Sequence, residues 1–215
     1  MRDPRKEIVE AGYDVLADGF LAWSASIEDD PRERFLGSFA ERLPNGARVL
    51  DLGCGAGVPS TQRLAERFAV VGVDISASQI ALARRHVPDA TFLHADLTEV
   101  DFAEQSFAGI TAFYAMSHVP RAEHAALFRR CCDWLEPGGL FLATLGAGEL
   151  PDWTGDWLGV PMFFSSYDAD TNRDLVRDAG FELLLDEVVE IREPEQRVRF
   201  LWVLAQRPAW QPRGS

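Results

Sequence analysis

The sequence predicts an α/β fold: a mostly parallel sheet with helices on both faces and an antiparallel hairpin at its C-terminal end. Three observations predict it. From Ala47 to Leu145, short apolar runs of strand length alternate with helix-length segments, the pattern of successive βαβ units. A glycine-rich turn follows the first of those runs. Two longer runs near the C-terminus are joined only by Arg192 to Gln196, a link of hairpin length. The 215 residues, 47% hydrophobic, suffice for one such domain and its core.

In order along the chain, Pro4 to Ser26 places Ile8, Tyr13, Leu16, Phe20 and Trp23 at near-helical spacing and reads as one or two amphipathic helices. Pro31 precedes a helix over Arg32 to Leu43 with Phe35, Leu36 and Phe39 on one face, and Pro44-Asn45-Gly46 is a turn. Ala47 to Cys54 is the first strand, followed by a helix through Leu64 and Phe68. Ala69 to Ile75 and Thr91 to Ala95 are strands, with a helix over Ala77 to His86 between them. Phe107 to Met116 is the fourth strand and Arg121 to Leu135 a helix, which Pro137-Gly138-Gly139 ends before a fifth strand, Leu140 to Leu145. Gly146 to Asp168, rich in glycine, proline and aromatic residues, reads as a long loop. A helix over Asp170 to Ala179 leads to the hairpin strands, Phe181 to Ile191 and Arg197 to Ala205, for seven strands in all.

Composition narrows the function. The formal charge is -13, from 34 acidic and 21 basic residues, which disfavours a phosphate backbone and an anionic lipid surface as partners. No apolar run reaches the roughly 20 residues of a membrane span, and the charged start MRDPRKEIVEAGYD has no signal-peptide core. Cys131 and Cys132 are adjacent, and with Cys54 they make no disulfide framework. The expectation is a cytoplasmic protein, a monomer or homodimer, with no nucleic-acid or membrane partner. Lys6 is the only lysine, so any chemistry needing a buried lysine falls to it. The tail Gln211 to Ser215 reads as disordered.

The strongest local signal is Val49-Leu50-Asp51-Leu52-Gly53-Cys54-Gly55-Ala56-Gly57. Glycines after an apolar strand let the backbone turn sharply and let a ligand approach the main chain. Val58 stands where a dinucleotide fingerprint needs its last glycine, and no G-K-[ST] follows. Asp51 beside the turn would oppose a diphosphate by roughly 1 kcal/mol or more. The turn suits a ligand with an adenosine and a cationic end, and S-adenosylmethionine is one. Asp74 closes the second strand about 20 residues beyond the turn, the spacing at which a carboxylate accepts from ribose hydroxyls. Asp96 closes the third, where it would accept from the adenine amino group, with Ile75 and Leu97 on the ring faces. Taken singly, Asp74 or Asp96 reads equally as a helix N-cap.

These motifs, D-x-G-C-G-x-G, V-D-I-S, H-A-D-L and L-x-P-G-G-x-[FL], together with the terminal hairpin, resemble the class I S-adenosylmethionine-dependent methyltransferases, small-molecule branch. The resemblance implies a Rossmann-like single domain over 1–215: a helical cap (1–43), a cofactor-binding core (44–148), an acceptor-side lid (149–168), the last helix and hairpin (169–208) and a tail (209–215). It implies S-adenosylmethionine as cofactor, S-adenosylhomocysteine as product, and methyl transfer to an O, N or C atom of a small molecule, such as a secondary metabolite. In that reading Asp51 and Gly53, Gly55 and Gly57 hold the methionine moiety, Asp74 the ribose and Asp96 the adenine. Tyr114 joins them, and Tyr13 caps the cofactor or packs in the core.

His118, in the loop after the fourth strand, is placed to take a proton from the acceptor. His124, on the apolar face of a helix, reads as packed, and no Cys/His cluster has metal-site spacing. Trp153, Trp157, Phe163 and Phe164 would wall the acceptor site, or else cover the sheet edge as a hydrophobic cluster. Two rivals remain: a non-catalytic S-adenosylmethionine-binding protein and a nicotinamide-dependent oxidoreductase, the latter opposed by Asp51 and Val58.

Overall fold

Asp3 and Pro4 start the first helix, the Asp3 side chain accepting from the Arg5 amide and Pro4 occupying a first-turn position that needs no donor. A computed structural model describes residues 2–209, so the tail at 211–215 lies outside the described residues. The elements are α1 (Pro4–Ser24), α2 (Arg32–Ala40), β1 (Arg48–Leu52), α3 (Ser60–Ala65), β2 (Ala69–Asp74), α4 (Ala77–His86), β3 (Thr91–His94) and β4 (Phe107–Ala112). After a short 3-10 turn, Met116–His118, come α5 (Arg121–Trp134), β5 (Leu135–Gly146), β6 (Leu150–Trp157), β7 (Val160–Ser166), α6 (Ala169–Asp178), β8 (Glu182–Arg192) and β9 (Arg197–Gln206).

Seven strands form one sheet in the order β3-β2-β1-β4-β5-β9-β8. Strands β1 to β5 pair in parallel, while β9 runs antiparallel to β5 and to β8. The strand order reverses between β1 and β4, and such a switch point opens a crevice at the carboxyl ends of the strands. Both faces are buried. Leu50, Ile110, Phe128 and Phe141 belong to one core layer, and Phe35, Phe39, Val49 and Trp202 to the other. Among the described residues no helix is long and apolar enough to cross a membrane.

Three expectations are corrected. First, α5 ends at Trp134, and Leu135 already pairs with Phe107. Pro137-Gly138-Gly139 therefore lies within β5, as a break in register between Phe107 and Gly109 with Gly138 at φ +84°, rather than capping the helix. Second, β4 stops at Ala112, and Tyr114 takes φ +58°, leaving the sheet before Met116. Third, the segment expected as a long loop is the hairpin β6–β7, a separate two-stranded sheet. Leu158 and Gly159, at φ +54° and +82°, make its tight turn. Most β6 side chains are exposed, so no inside–outside alternation marks it in the sequence.

Helix α1 lies across β7. A Cβ at Gly12 would stand 2.6 Å from Met162 Cε and 3.0 Å from the Pro161 carbonyl, so a larger residue requires Met162 and the β7 backbone to shift. Helix and hairpin together roof the crevice at the switch point.

Candidate functional site

Under that roof lies a cavity of about 760 Å³, in the upper part of the roughly 300–1,000 Å³ typical of small-molecule sites. Gly53 and Gly55 of the glycine turn lie on its floor, whereas Gly57, expected at the cofactor, does not line the cavity and packs against Ala83 and Val87. Gly53, Gly55 and Gly57 have φ of +69°, +52° and +80°, and a Cβ on Gly53 would lie 2.3 Å from the Ala115 Cβ. The turn is thus closed to other residues by both backbone and space.

The three aspartates expected at the strand ends all line this cavity and are all buried. Asp51 accepts from Thr61 Oγ1 (2.6 Å) and Thr111 Oγ1 (2.7 Å). Its pKa is raised by burial, against those two hydrogen bonds. Asp74 accepts from the amides of Gly55 (2.8 Å) and Ser76 (2.9 Å). Burial pushes its pKa up to about 6 in spite of them. Asp96 Oδ1 accepts from the amide and hydroxyl of Thr98, each 2.8 Å. Its Oδ2 lies 3.1 Å from Lys6 Nζ and has no other partner. Ile75 and Leu97 stand on the cavity wall between the last two acids.

Tyr13 and His118 meet. The Tyr13 hydroxyl is 2.8 Å from His118 Nε2, and His118 Nδ1 is 3.0 Å from the Phe163 carbonyl. A carbonyl only accepts, which assigns the ring proton to Nδ1 and leaves Nε2 to accept from Tyr13. Burial lowers the His118 pKa to about 4, so the imidazole is neutral at ordinary pH. Burial likewise raises the Tyr13 pKa, with the Asp74 charge adding to it, and the phenol keeps its proton. His124 is packed as expected, its Nε2 3.0 Å from the carbonyls of Met116 and Val119.

The hairpin supplies an aromatic wall. Trp153, Trp157 and Phe164 line the cavity, and Phe164 lies 5.4 Å from Trp157 and 6.0 Å from Trp153 between ring centroids. Phe163 does not line it. It is 1% exposed in a cluster with Val9, Val160 and Met162, and the Arg5 guanidinium lies 5.7 Å from its ring. It touches the site only through its carbonyl. From α1, Phe20 and Trp23 complete the wall, Trp23 lying 5.2 Å from Trp157.

Sequence reasoning missed three polar residues. Lys6 is 7% exposed and lines the cavity beside Asp96 and Glu123. Burial works against its charge, but the bonds to Glu123 and Asp96 outweigh that and raise its pKa. Arg32 lies over the Tyr114 ring at 5.1 Å, with a buried Nε that has no partner. Gln79 is 1% exposed on the cavity, with both amide atoms unpartnered. A sequence signal for Gln79 existed in Ser76-Ala77-Ser78-Gln79, a capping-box spacing. Only half of the box forms. Ser76 Oγ accepts from the Gln79 amide, but Asp74 takes the Ser76 amide, freeing the Gln79 side chain toward the glycine turn. The Tyr114 hydroxyl is also buried on the cavity without a partner. Orphaned buried groups of both polarities, acids at three strand ends and no cradle for a diphosphate fit an adenosyl amino acid.

Known proteins resemble this chain accordingly. A family model described as a methyltransferase domain matches residues 49–139. A 2-phytyl-1,4-naphtoquinone methyltransferase of Thermosynechococcus vestitus is 40% identical over 104 residues, 45% of either chain. A crystal structure of Burkholderia thailandensis 1,6-didemethyltoxoflavin-N1-methyltransferase with bound 1,6-didemethyltoxoflavin and S-adenosylhomocysteine superposes with a TM-score of 0.71 at 19% identity, covering 97% of this chain and 92% of that one. A protein described as a [4+2]-cyclase also reaches 0.71 at 19% identity, over 94% and 95%. The matched stretches cover less than half the length of the curated relatives. Over residues 49–139 the matched methyltransferase domain, and across the chain the motifs and sheet order, make this chain similar to the class I S-adenosylmethionine-dependent methyltransferases.

Proposed function

We propose that the chain binds S-adenosylmethionine and transfers its methyl group to an O, N or C atom of a small-molecule acceptor. The observation that carries this is convergence: the aspartate-bearing ends of β1, β2 and β3 and the aromatic hairpin face one cavity. The names of the relatives, which act on small molecules such as a naphthoquinone, support the acceptor class. In this reading Gly53 and Gly55 receive the amino-acid end and Gly57 shapes the turn behind them, with Arg32 and Tyr114 at its carboxylate and Asp51 beneath. Asp74 and Gln79 hold the ribose, and Asp96 the adenine between Ile75 and Leu97. Trp153, Trp157 and Phe164, with Phe20 and Trp23, wall a flat or apolar acceptor. The chain is taken as one unit, cap and lid included, which the packing of α1 on β7 supports.

Bound S-adenosylmethionine supplies a methyl on a sulfonium that leaves as a neutral thioether, so no metal or strong acid is asked of the protein. The chain's own residues position and desolvate. The aromatic wall holds the acceptor in line and excludes water. Tyr13 and His118 offer a neutral donor–acceptor pair at the same place: an acceptor that enters protonated gives its proton to the Tyr13 hydroxyl oxygen as the Tyr13 proton passes to His118 Nε2, which is the base. Its low pKa makes it a weak base, suited to a proton released as the new bond forms.

The [4+2]-cyclase of the same fold shows that this architecture alone does not fix the reaction. Transfer of a labelled methyl group from S-adenosylmethionine, across a panel of phenols, amines, carboxylates and quinones, decides it. Label in any acceptor supports methyl transfer. Tight cofactor binding with no transfer to any acceptor favours the non-catalytic binder, and binding of NADH in its place favours the oxidoreductase.

A further inference from the structure

The roof of the cavity is tied down by polar side chains, each anchored beside a residue assigned to the cofactor. Asp14 of α1 accepts from Ser76 Oγ (2.6 Å) and the Ser78 amide (3.0 Å), just past Asp74. Tyr13 reaches His118 after β4. Lys6 reaches Asp96 after β3. Of these, the lysine contact is the most enclosed, with side chains 8% and 5% exposed.

Lys6 Nζ donates to Thr98 Oγ1 and to Glu123 Oε2 at 2.8 Å, and forms an ion pair with Asp96 Oδ2 at 3.1 Å. Thr98 occupies Asp96 Oδ1 twice over, with its amide and its hydroxyl. That leaves Oδ2, which has the Lys6 ammonium beside it as an ion pair and no hydrogen-bond partner. A carboxylate oxygen accepts two hydrogen bonds, so Oδ2 has capacity for a donor from the cavity that Asp96 lines. A cation beside a buried carboxylate helps to hold it both charged and oriented. Lys6 provides this from a residue 90 positions earlier in the chain, and only when α1 is down.

We propose that Lys6 is a positioning residue for the nucleobase: it aims Asp96 Oδ2 at the adenine amino group and couples that aim to closure of α1. Base selection and roof closure are then one event. This rests on the cofactor reading above, and the test separates the two.

Calorimetry compares S-adenosylhomocysteine with its inosine analogue, in which a carbonyl replaces the amino group. The native chain is expected to prefer the adenine compound by about ten-fold or more, since the carbonyl leaves Asp96 unpaired and opposed. In Lys6→Met the preference falls toward unity, while Lys6→Arg, which keeps the charge, restores part of it. A merely structural lysine would weaken both ligands equally, so a preference retained in folded Lys6→Met overturns the proposal. No preference in a native chain that binds the adenine compound overturns it as well. Failure of the native chain to bind S-adenosylhomocysteine at all instead removes the cofactor reading, and the proposal with it. Where Lys6→Met does not fold, acylation of the native chain serves. Lys6 is the sole lysine, and the N-terminal amine is the internal reference. S-adenosylhomocysteine should slow Lys6 acylation by about ten-fold or more relative to that reference; equal rates with and without it overturn the coupling.

Discussion

Asp74 and His118 are both shifted by burial, Asp74 upward and His118 downward, and both act in the deprotonated form. Asp74 titrates near 6 in the folded chain, above the ordinary 3.8 of an aspartate. Ribose hydroxyls donate to the ionised form, so affinity for S-adenosylhomocysteine should fall as pH drops through about 6. Titrations between pH 8 and 5 check this, and a flat affinity would remove Asp74 from the ribose. Asp74→Ala should cost about 1.5–3 kcal/mol of binding, the scale of a hydrogen bond to a charged group. His118 titrates near 4, lowered by burial, so it stays neutral over that same range. At saturating cofactor, turnover should therefore hold from pH 8 to 5 and fail only toward pH 4, rather than through the ordinary 6.5 that the sequence suggests. His118→Ala should lower turnover by about 100-fold or more if the imidazole takes the proton. His118→Gln, which keeps hydrogen bonding without basicity, retaining most activity would make His118 an orienting group instead.

At the scale of elements, the hairpin β6–β7 and helix α1 act as one cover. Their close crossing predicts that Gly12→Val, which drives a side chain into Met162 and the Pro161 carbonyl, costs about 1–3 kcal/mol of stability. Chemical denaturation measures it, and an unchanged midpoint would mean that the cover can shift freely. Trp157 lies within the wall, 5.2 Å from Trp23 and 5.4 Å from Phe164. Trp157→Ala should raise the acceptor KM and spare cofactor affinity; a lowered melting temperature with native kinetics would make the wall mere packing. The five parallel strands were legible in the sequence because each is a short apolar run punctuated by glycine, proline or a cap. The hairpin was not, since β6 is mostly exposed and its tryptophans look the same in a loop. Phe163 was misplaced for the same reason: nothing in the sequence of the segment says that it packs with Val9, Val160 and Met162 while Phe164 lines the cavity.

At the scale of the whole molecule, the acids of the site were readable because local motifs carry them. A strand, a tight turn and an aspartate at a fixed offset are encoded within a few residues, and parallel topology then brings their ends together. Lys6 and Arg32 escaped because nothing near them in sequence announces their partners, and Gln79 because its capping-box spacing reads as a helix start rather than a side chain freed toward the turn. Lys6 finds Asp96 only after the helix has folded across the sheet. The account as a whole rests on the ligand that this assembly of strand ends receives. The measurement that tests it most directly is calorimetric titration of the native chain with S-adenosylhomocysteine and, separately, with NADH. The account predicts saturable one-to-one binding of S-adenosylhomocysteine and none of NADH. Binding of NADH, or no binding of S-adenosylhomocysteine to the folded chain, would contradict it.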